Sequence, residues 1–534
     1  MKEATHALVF LLGGIFTRWK IPVAYYFTPD NINGTILKPI IENIIQKAEA
    51  IGLYVHSVTS DMGPVNLRMW KAFGIVGGKY TKIINSIVHP VNNKRKLMFM
   101  ADVPHLFKNL KNMLLNNKVI ELPMTFAQTH KLSFSIVKYE HLEELVDIQE
   151  NLQLKLIPKL KKQDIKCTTF NKMKVSKAKN VLSRDVSSAI RFYAEETGKT
   201  ELNTTATFIE VISKWFTLVT ARTPRVALSK RTLHETKYDE HIAFLHAVIE
   251  LFREMKIGHK QIFKPVQNGI IITTTSIIEL TNYLINERNY RYVLTGRLTQ
   301  DCVENLFSSI RVKHPIPTAL QFQQSLKLMV ISQYFKSSYR SNYENDDGHI
   351  IDFLSKPKQK KYKTIPINQC TVIAMSSKEN IHIDNVELNI LYNIAGYIVS
   401  SIMKCNKVCV QCLQSVGSKQ FNPNQAYSRF VQLRCFRKTS LFFVNNETFQ
   451  YVYNMEIIIR QYISHFQSCK CNFLLFYIDK MKNIKCDTIK RCHNLPTTIM
   501  KRFILYRMRI SCKKQKLSNK MYNSKTMAMH SVIK

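Results

Sequence analysis

The sequence predicts an α/β domain interrupted by a large helical insertion and followed by a mixed, mainly helical C-terminal region. Three features carry that expectation. The first 60 residues read strand, strand, helix, strand, which is half of an α/β sheet. From about Lys108 to Phe252 the pattern is dominated by amphipathic helical blocks, and most of the 12 Cys of this 534-residue chain fall in its last third.

Ala7 to Leu12 is a continuous apolar run and PVAYYFT from Pro22 is β-rich, so both read as buried strands flanking a turn through Gly13, Gly14 and Trp19. Ile36, Ile40, Ile44 and Ile45 recur on one side of a helix from about Thr35 to Ile51, and a third strand covers Leu53 to Thr59. Asp61 falls where that strand ends, the position that opens on the ligand crevice of an open α/β sheet. The string SDMGPVN also suits a helix or turn cap, so Asp61 reads either way. In ADVPHLFKNLKNMLL, Asp102 precedes Pro104 as an N-cap precedes an early helical proline, and His105, Lys108, Asn109 and Asn112 line one face beyond it.

The helical block carries HLEELVDIQENLQLKLIPKLKK, VLSRDVSSAIRFYAEE and TATFIEVISKWFTLVT. After it, GIIITTTSIIEL from Gly269 reads as a strand-like run entering a helix. TGRLTQDCVENLFSSIRVK, residues 295–313, is a polar turn running into a short amphipathic helix. Val303, Phe307 and Ile310, with Leu306 beside them, form its apolar stripe. Glu304 sits at the stripe's edge, and Gln300, Glu304, Ser308 and Arg311 share the adjoining face. That face holds a carboxylate at the rim of a site, or it is merely a solvated helix surface. Pro315 and Pro317 stop the helix.

Ser337 to Thr364 shifts to linker composition, and its KPKQKK resembles a nuclear-import patch or is a plain solvated charge run. In the tail, KCNKVCVQC brings Cys405, Cys409 and Cys412 close together. Cys409 and Cys412 are half of a tetrahedral zinc site if Cys435, His465, Cys469, Cys471, Cys486, Cys492 or His493 supplies the rest; otherwise they are buried core thiols. KRFILYRMRISCKKQKLSNK is a basic amphipathic segment that lies on phosphates or faces solvent.

Lys plus Arg number 77 against 38 acidic residues, a formal charge of +39, which calls for a polyanionic partner, nucleic acid above all. No run approaches the roughly 20 apolar residues of a membrane span, so no membrane association is expected. MKEATHALVFLLGGIF has Glu3 beside Lys2 and no small-residue cleavage site, which speaks against a secretory signal. The Lys-rich composition suits reduced thiols better than a disulfide framework.

LTQDCVENLFSSIR resembles the segment carrying the last carboxylate of P-element-type DNA transposases, the group that includes the THAP-domain-associated transposases. VTSDMGPVNLRMWKAFGI from Val58 and FMADVPHLFKNLKN from Phe99 resemble the same family in the same order, with weaker matches from Asn171 and from Leu391. The resemblance implies an RNase H-like domain split by a helical insertion. Its halves would be 1–107, incomplete, and 265–335, around a GTP-binding-domain-like insertion at 108–264. A linker at 336–368 and a basic Cys-rich region at 369–534 would follow. It implies catalysis and Mg²⁺ (or Mn²⁺) binding by Asp61 and Glu304, with His105, Lys108 and Arg311 as DNA-binding candidates and Asp102 as a structural or nucleic-acid-facing group. Transposon ends and target DNA are the implied partners, with self-association as a homo-oligomer, in the nucleus.

Two departures qualify the resemblance. Where the family reads approximately Phe-Asp-x-x-Asn, this chain has WFTLVTARTP, so Thr217 and Thr220 replace the nucleotide-facing pair and GTP binding is doubtful. The family's first catalytic carboxylate, in a string resembling Asp-Glu-Met, and its zinc-binding THAP module lie upstream of the Ala7 strand. The chain begins after both, with Glu3 and Asp30 as the nearby acids. A transposase scaffold inactive by itself is therefore expected, the alternative being a non-catalytic nuclear DNA-binding or partner-binding protein.

Overall fold

The computed structural model describes residues 4–29, 32–166, 172, 174–230, 238–336, 381–405, 409–422, 425–436, 441–463, 473–486, 489 and 493–515. Glu3, Asp30, the 337–364 stretch with KPKQKK, His465, Cys469, Cys471 and Cys492 lie outside them. Two compact units emerge. The first comprises 1–144, 159–187 and 200–359, the second 145–158, 188–199 and 360–534.

In the first unit β1 (His6–Gly13) and β2 (Lys20–Thr28) form an antiparallel hairpin with an irregularity between Phe10 and Leu11. The helix α1 (Leu37–Ala50) follows, burying Leu37, Ile41, Ile45 and Ala48; this corrects the expected stripe, of which Ile36 precedes the helix and is exposed while Ile40 and Ile44 are only half-buried. The strand β3 (Ser57–Ser60) then leads into α2 (Pro64–Ala72). Strand β4 (Ser86–Val88) is antiparallel to β5 (Lys96–Ala101), which lies between it and β3 and is parallel to β3. β5 is an apolar run, LMFMA, buried throughout because both its faces are covered. After β5, α3 (Val103–Asn117) enters the insertion. The hairpin and the β3–β5–β4 sheet are separate among the described residues.

The insertion is mostly helical, as the periodicity predicts, including α4 (Leu202–Val219) and α5 (Tyr238–Glu254). It also holds a small antiparallel sheet that the periodicity did not show, in which β6 (Val119–Glu121) lies between β7 (Ile136–Lys138) and β8 (Lys256–Ile257). These strands have two or three residues each, too few to set up a readable alternation.

The run from Gly269 is a correction: it is not a strand but the middle of α6 (Pro265–Asn286). Its buried hydroxyls explain why a Thr-rich, β-branched segment is helical here. The Ala101 N–H donates to Thr273 Oγ1 (2.8 Å), Ser276 Oγ donates to the Phe99 carbonyl (2.7 Å) and Trp215 Nε1 donates to Thr274 Oγ1 (3.0 Å). Tertiary hydrogen bonds thus override a local preference worth a few tenths of a kcal/mol per residue. Gly269 lets α6 pass close to α3, since a Cβ there would meet Leu106 Cδ2 at 2.7 Å.

Beyond α6, a short turn (Thr295–Leu298) precedes α7 (Asp301–Lys313) and then α8 (Ala319–Lys336). Leu306 and Ile310 of α7, with Phe322 and Leu326 of α8, pack on Val9, Leu11, Tyr25 and Phe27 of the hairpin. Only one face of the hairpin is covered, for Ile21, Val23 and Tyr26 on β2 are exposed; the expectation of fully buried strands is corrected accordingly.

The second unit contains α9 (Asn385–Cys405), α10 (Val410–Val416), α11 (Asn446–Tyr462), α12 (Phe473–Met481) and α13 (Leu495–Gln515). Two pieces of the helical block belong with it. Leu154 N–H donates to Glu387 Oε1 (2.8 Å), Arg429 pairs with Glu195, and Phe192 packs on Phe430. Residues 385–404 are long and apolar enough to cross a membrane, which the sequence reading missed, but 61% of that apolar window is buried, as in a core helix. Helix α13 holds most of the basic tail segment, and Arg507 within it is buried in an ion pair with Glu456 (2.6 Å), so that guanidinium does not lie on phosphates.

Candidate active site

Parallel pairing of β3 and β5 sets Ser60 opposite Ala101, and the Asp102 N–H donates to the Ser60 carbonyl (2.8 Å), so the two strands deliver Asp61 and Asp102 side by side. Asp61 Oδ1 accepts from the Gly63 N–H (2.7 Å) and from Asn66 Nδ2 (2.8 Å). Asn66 therefore helps fix the turn. Among the described residues these bonds use only Oδ1.

Asp102 is spent differently. It is 2% exposed and caps α3, with Oδ2 accepting from the His105 N–H (3.1 Å) and lying 2.6 Å from His105 Nδ1. Its Oδ1 accepts from the Gln300 N–H (2.7 Å), and Gln300 is the N-cap residue of α7. The cap legible in the sequence thus has a second task that was not: it ties the helix bearing Glu304 to the end of β5. His105 Nε2 then lies 3.9 Å from Glu304 Oε1. The Glu304 side chain is 56% exposed, which makes this a rim contact of little energetic weight. The hydrogen bond to Asp102 holds the His105 imidazole above its usual range, against the opposing effect of burial.

Lys108 sits one turn along α3 and is 7% exposed. Burial pushes its ammonium below the ordinary lysine range, while the charges of Glu304, Asp102 and Asp61 pull it back. One cation therefore feels all three carboxylates. It is buried on α3, in contrast to Arg311, which is exposed on α7 and stacks over Phe307 at 5.6 Å.

The turn before α7 is held from both sides. Thr59 Oγ1 donates to the Leu298 carbonyl (2.9 Å), Arg297 donates to the carbonyls of Ile15 (2.8 Å) and Phe16 (2.6 Å), and buried Thr295 donates to the Leu218 carbonyl (2.7 Å). Sequence reasoning missed Thr295 and Arg297, which position Glu304 through long-range contacts that have no local signature.

In the second unit Cys409, Cys412 and His493 place their ligand atoms within 4.8 Å of one another. Among the described residues, His493 is a candidate partner that lies beside the Cys pair.

Profiles described as "TNP-like, RNase H N-terminal domain" and "TNP-like, GTP-binding insertion domain" match residues 1–74 and 104–232. The transposable element P transposase of Drosophila melanogaster is 25% identical over 417 residues, 74% of this chain and 52% of that protein. Across both profiles and this relative, the chain is similar to the P-element-type transposases. The human DNA transposase THAP9 is 24% identical over 340 residues, covering 60% of this chain and 35% of its own length. The chain thus spans about half of one curated relative and a third of the other. Its fold matches a chain of the Drosophila P element transposase strand transfer complex with a TM-score of 0.52 at 24% identity, over 62% of this chain and 75% of that one.

Within the insertion profile, Thr217 and Thr220 stand at the C-terminal end of α4. Their hydroxyls donate to the carbonyls of Ser213 (2.8 Å) and Phe216 (2.5 Å) in the same helix.

Proposed function

We propose that the crevice rimmed by Asp61 and Glu304 is the phosphoryl-transfer site of a DNA transposase of this family, or of a truncated or domesticated derivative, and that the chain cleaves DNA only if a further carboxylate, Glu3 or Asp30 being the nearby acids, completes that site. The observation that carries the proposal is the Asp102 bridge, which brings the Glu304 helix to the strand end bearing Asp61.

The donors fit a hard divalent cation, Mg²⁺ or Mn²⁺. Asp61 keeps an oxygen outside its turn, and Glu304 presents a rim carboxylate. A divalent ion held there supplies charge stabilisation for the attacking and leaving oxygens of an in-line displacement. The chain's own residues do the positioning. Gly63 and Asn66 aim Asp61, Asp102 anchors the start of α7, and His105 and Lys108 offset the negative charge of the cluster when no cation is present. Arg311 and the overall +39 charge attract the DNA backbone. A nuclear location and self-association on paired DNA ends belong to the same proposal.

The test is strand cleavage of DNA carrying the ends of the element that encodes the chain, with Mg²⁺ or Mn²⁺. Cleavage lost in both Asp61→Ala and Glu304→Ala supports the reading; cleavage untouched by either refutes it. DNA affinity should fall by about 10³-fold or more as salt rises from about 50 to 200 mM, if six or more phosphates are contacted.

One observation favours the second reading, a non-catalytic DNA-binding or partner-binding protein on this scaffold: the buried Lys108 ammonium is within electrostatic reach of Glu304, Asp102 and Asp61. DNA binding without metal-dependent cleavage, unchanged in Glu304→Ala, would establish it. Guanine nucleotide is expected to bind weakly or not at all, because replacing a charge-assisted pair by Thr217 and Thr220 costs about 1.5–3 kcal/mol. Micromolar GTP binding by calorimetry, selective over ATP, overturns that expectation.

A further inference from the structure

The second unit holds a cluster whose chemistry differs from that of the carboxylate crevice. Cys409 is the N-cap residue of α10 and Cys412 lies in its first turn, so the C-x2-C spacing points two sulfurs to one side of a helix start. Cys412 is fully buried. His493 stands two residues before α13, and its Nδ1 is 3.5 Å from Cys412 Sγ, across 81 residues of sequence.

The distances suit a tetrahedral ion. With Zn–S of about 2.3 Å and Zn–N of about 2.05 Å, a tetrahedral angle sets sulfur and nitrogen about 3.6 Å apart and two sulfurs about 3.8 Å apart. The 3.5 Å between Cys412 Sγ and His493 Nδ1 is close to the first of these, and the 4.8 Å limit on all three atoms accommodates the second after a small closure. Two soft thiolates with one imidazole select zinc over the oxygen-seeking Mg²⁺ and Ca²⁺.

We infer that Cys409, Cys412 and His493 form a structural zinc site that staples the start of α10 to the start of α13. The ion takes two thiolates and one imidazole nitrogen, and a further ligand completes the tetrahedron. Binding releases the thiol protons, so affinity rises with pH through the thiol range. What the staple secures is the entry to α13, the helix whose Arg507 forms the buried pair with Glu456. The site's role is therefore architectural and independent of the Asp61 and Glu304 chemistry.

The experiment uses the full chain, stripped with a chelator under reducing conditions and titrated with Zn²⁺ or Co²⁺. One equivalent should bind. Cobalt should give a thiolate-to-metal charge-transfer band with the intense d–d absorption of a tetrahedral site. Cys412→Ser should abolish the band, and His493→Ala should weaken binding by at least tenfold. Cys302→Ser should leave binding unchanged. His493 is exposed, so its replacement removes no core packing and preserves the test if Cys412→Ser does not fold. Zinc removal should also hasten proteolysis within 409–515. The proposal is overturned by the absence of a thiolate–cobalt band, by equal binding in His493→Ala, or by a Cys409–Cys412 disulfide in chain kept reduced. None of these readouts depends on DNA cleavage.

Discussion

Strands β3 and β5 run parallel, and acids gather at both their ends, to opposite effect. Before the strands, Glu49 at the end of α1 is closed in. It accepts from the Val55 N–H (2.8 Å), pairs with Arg95, and lies 3.3 Å from His89 Nε2, all with side chains at most 7% exposed. Burial alone would raise its pKa, but the bonds from Arg95 and Val55 and the charges of Arg95 and His89 outweigh it and hold the carboxyl below its usual range. After the strands, Asp61 and Glu304 keep oxygens outside any tight pairing, while Asp102 alone is fully engaged. The same side-chain chemistry is structural where every oxygen is matched and ligand-ready where one is left over. Parallel sheets favour the second arrangement at the strand C-termini, where the loops open a crevice.

The sharpest way to break this contrast is to remove Glu49. Glu49→Ala strands Arg95 and His89 in the interior and is expected to cost about 3–5 kcal/mol of unfolding free energy. Asp61→Ala should cost no more than about 2 kcal/mol, the range of a lost turn cap. Urea unfolding of the two variants side by side checks this, and equal losses would mean that the two ends are not different in kind.

Acid titration probes the closed end again. Burial, with Arg95 and Arg288 nearby, pushes the His56 imidazole down to about 4. A folded-state pKa below the unfolded value near 6.5 means that the unfolded chain binds the proton first. Stability is therefore complete above about 6.5 and falls as pH drops toward 4. The amplitude is of order 2 kcal/mol, discounted from 1.36 kcal/mol per pH unit because the ring is only part-buried. His56→Gln should flatten the slope of urea midpoint against pH; an unchanged slope would assign it to other groups.

At the open end, Asp102→Ala removes the α3 cap and the tie to Gln300, at about 1–2 kcal/mol. Metal-dependent cleavage should fall in this variant although Asp61 and Glu304 remain. Full cleavage with the expected stability loss would show that the bridge is not needed to position α7. Smallest of all, Glu304→Ala should change unfolding free energy by less than about 0.5 kcal/mol, since the side chain is exposed and its contact with His105 is long. A loss above 1 kcal/mol in thermal or urea unfolding would place Glu304 with the structural acids.

Much of the first unit was legible residue by residue. The strands at Ala7 and Pro22, the helix from Leu37 and the strand ending before Asp61 follow from runs and periods within a dozen residues, and so do the Asp102 cap and the C-x2-C pair. What stayed hidden depends on partners far along the chain. The Ile-Thr run after Gly269 is helical because β5, 172 residues earlier at Ala101, takes up its hydroxyls. That Lys108 is buried and feels the charges of Glu304, Asp102 and Asp61 depends on the fold that brings those distant residues near it. Residues 145–158 and 188–199 look like the rest of the helical block, yet their contacts are with the second unit. The thiols of Cys409 and Cys412 are legible as a pair, but that His493, 81 residues on, lies beside them is visible only in the fold. Local pattern determines which segments are helix or strand and which residue types stand at their ends, because propensity and capping act over a few residues. Which of those ends meet, and so which side chains can share a proton, a metal ion or a phosphate, is decided by long-range packing that no window of sequence contains.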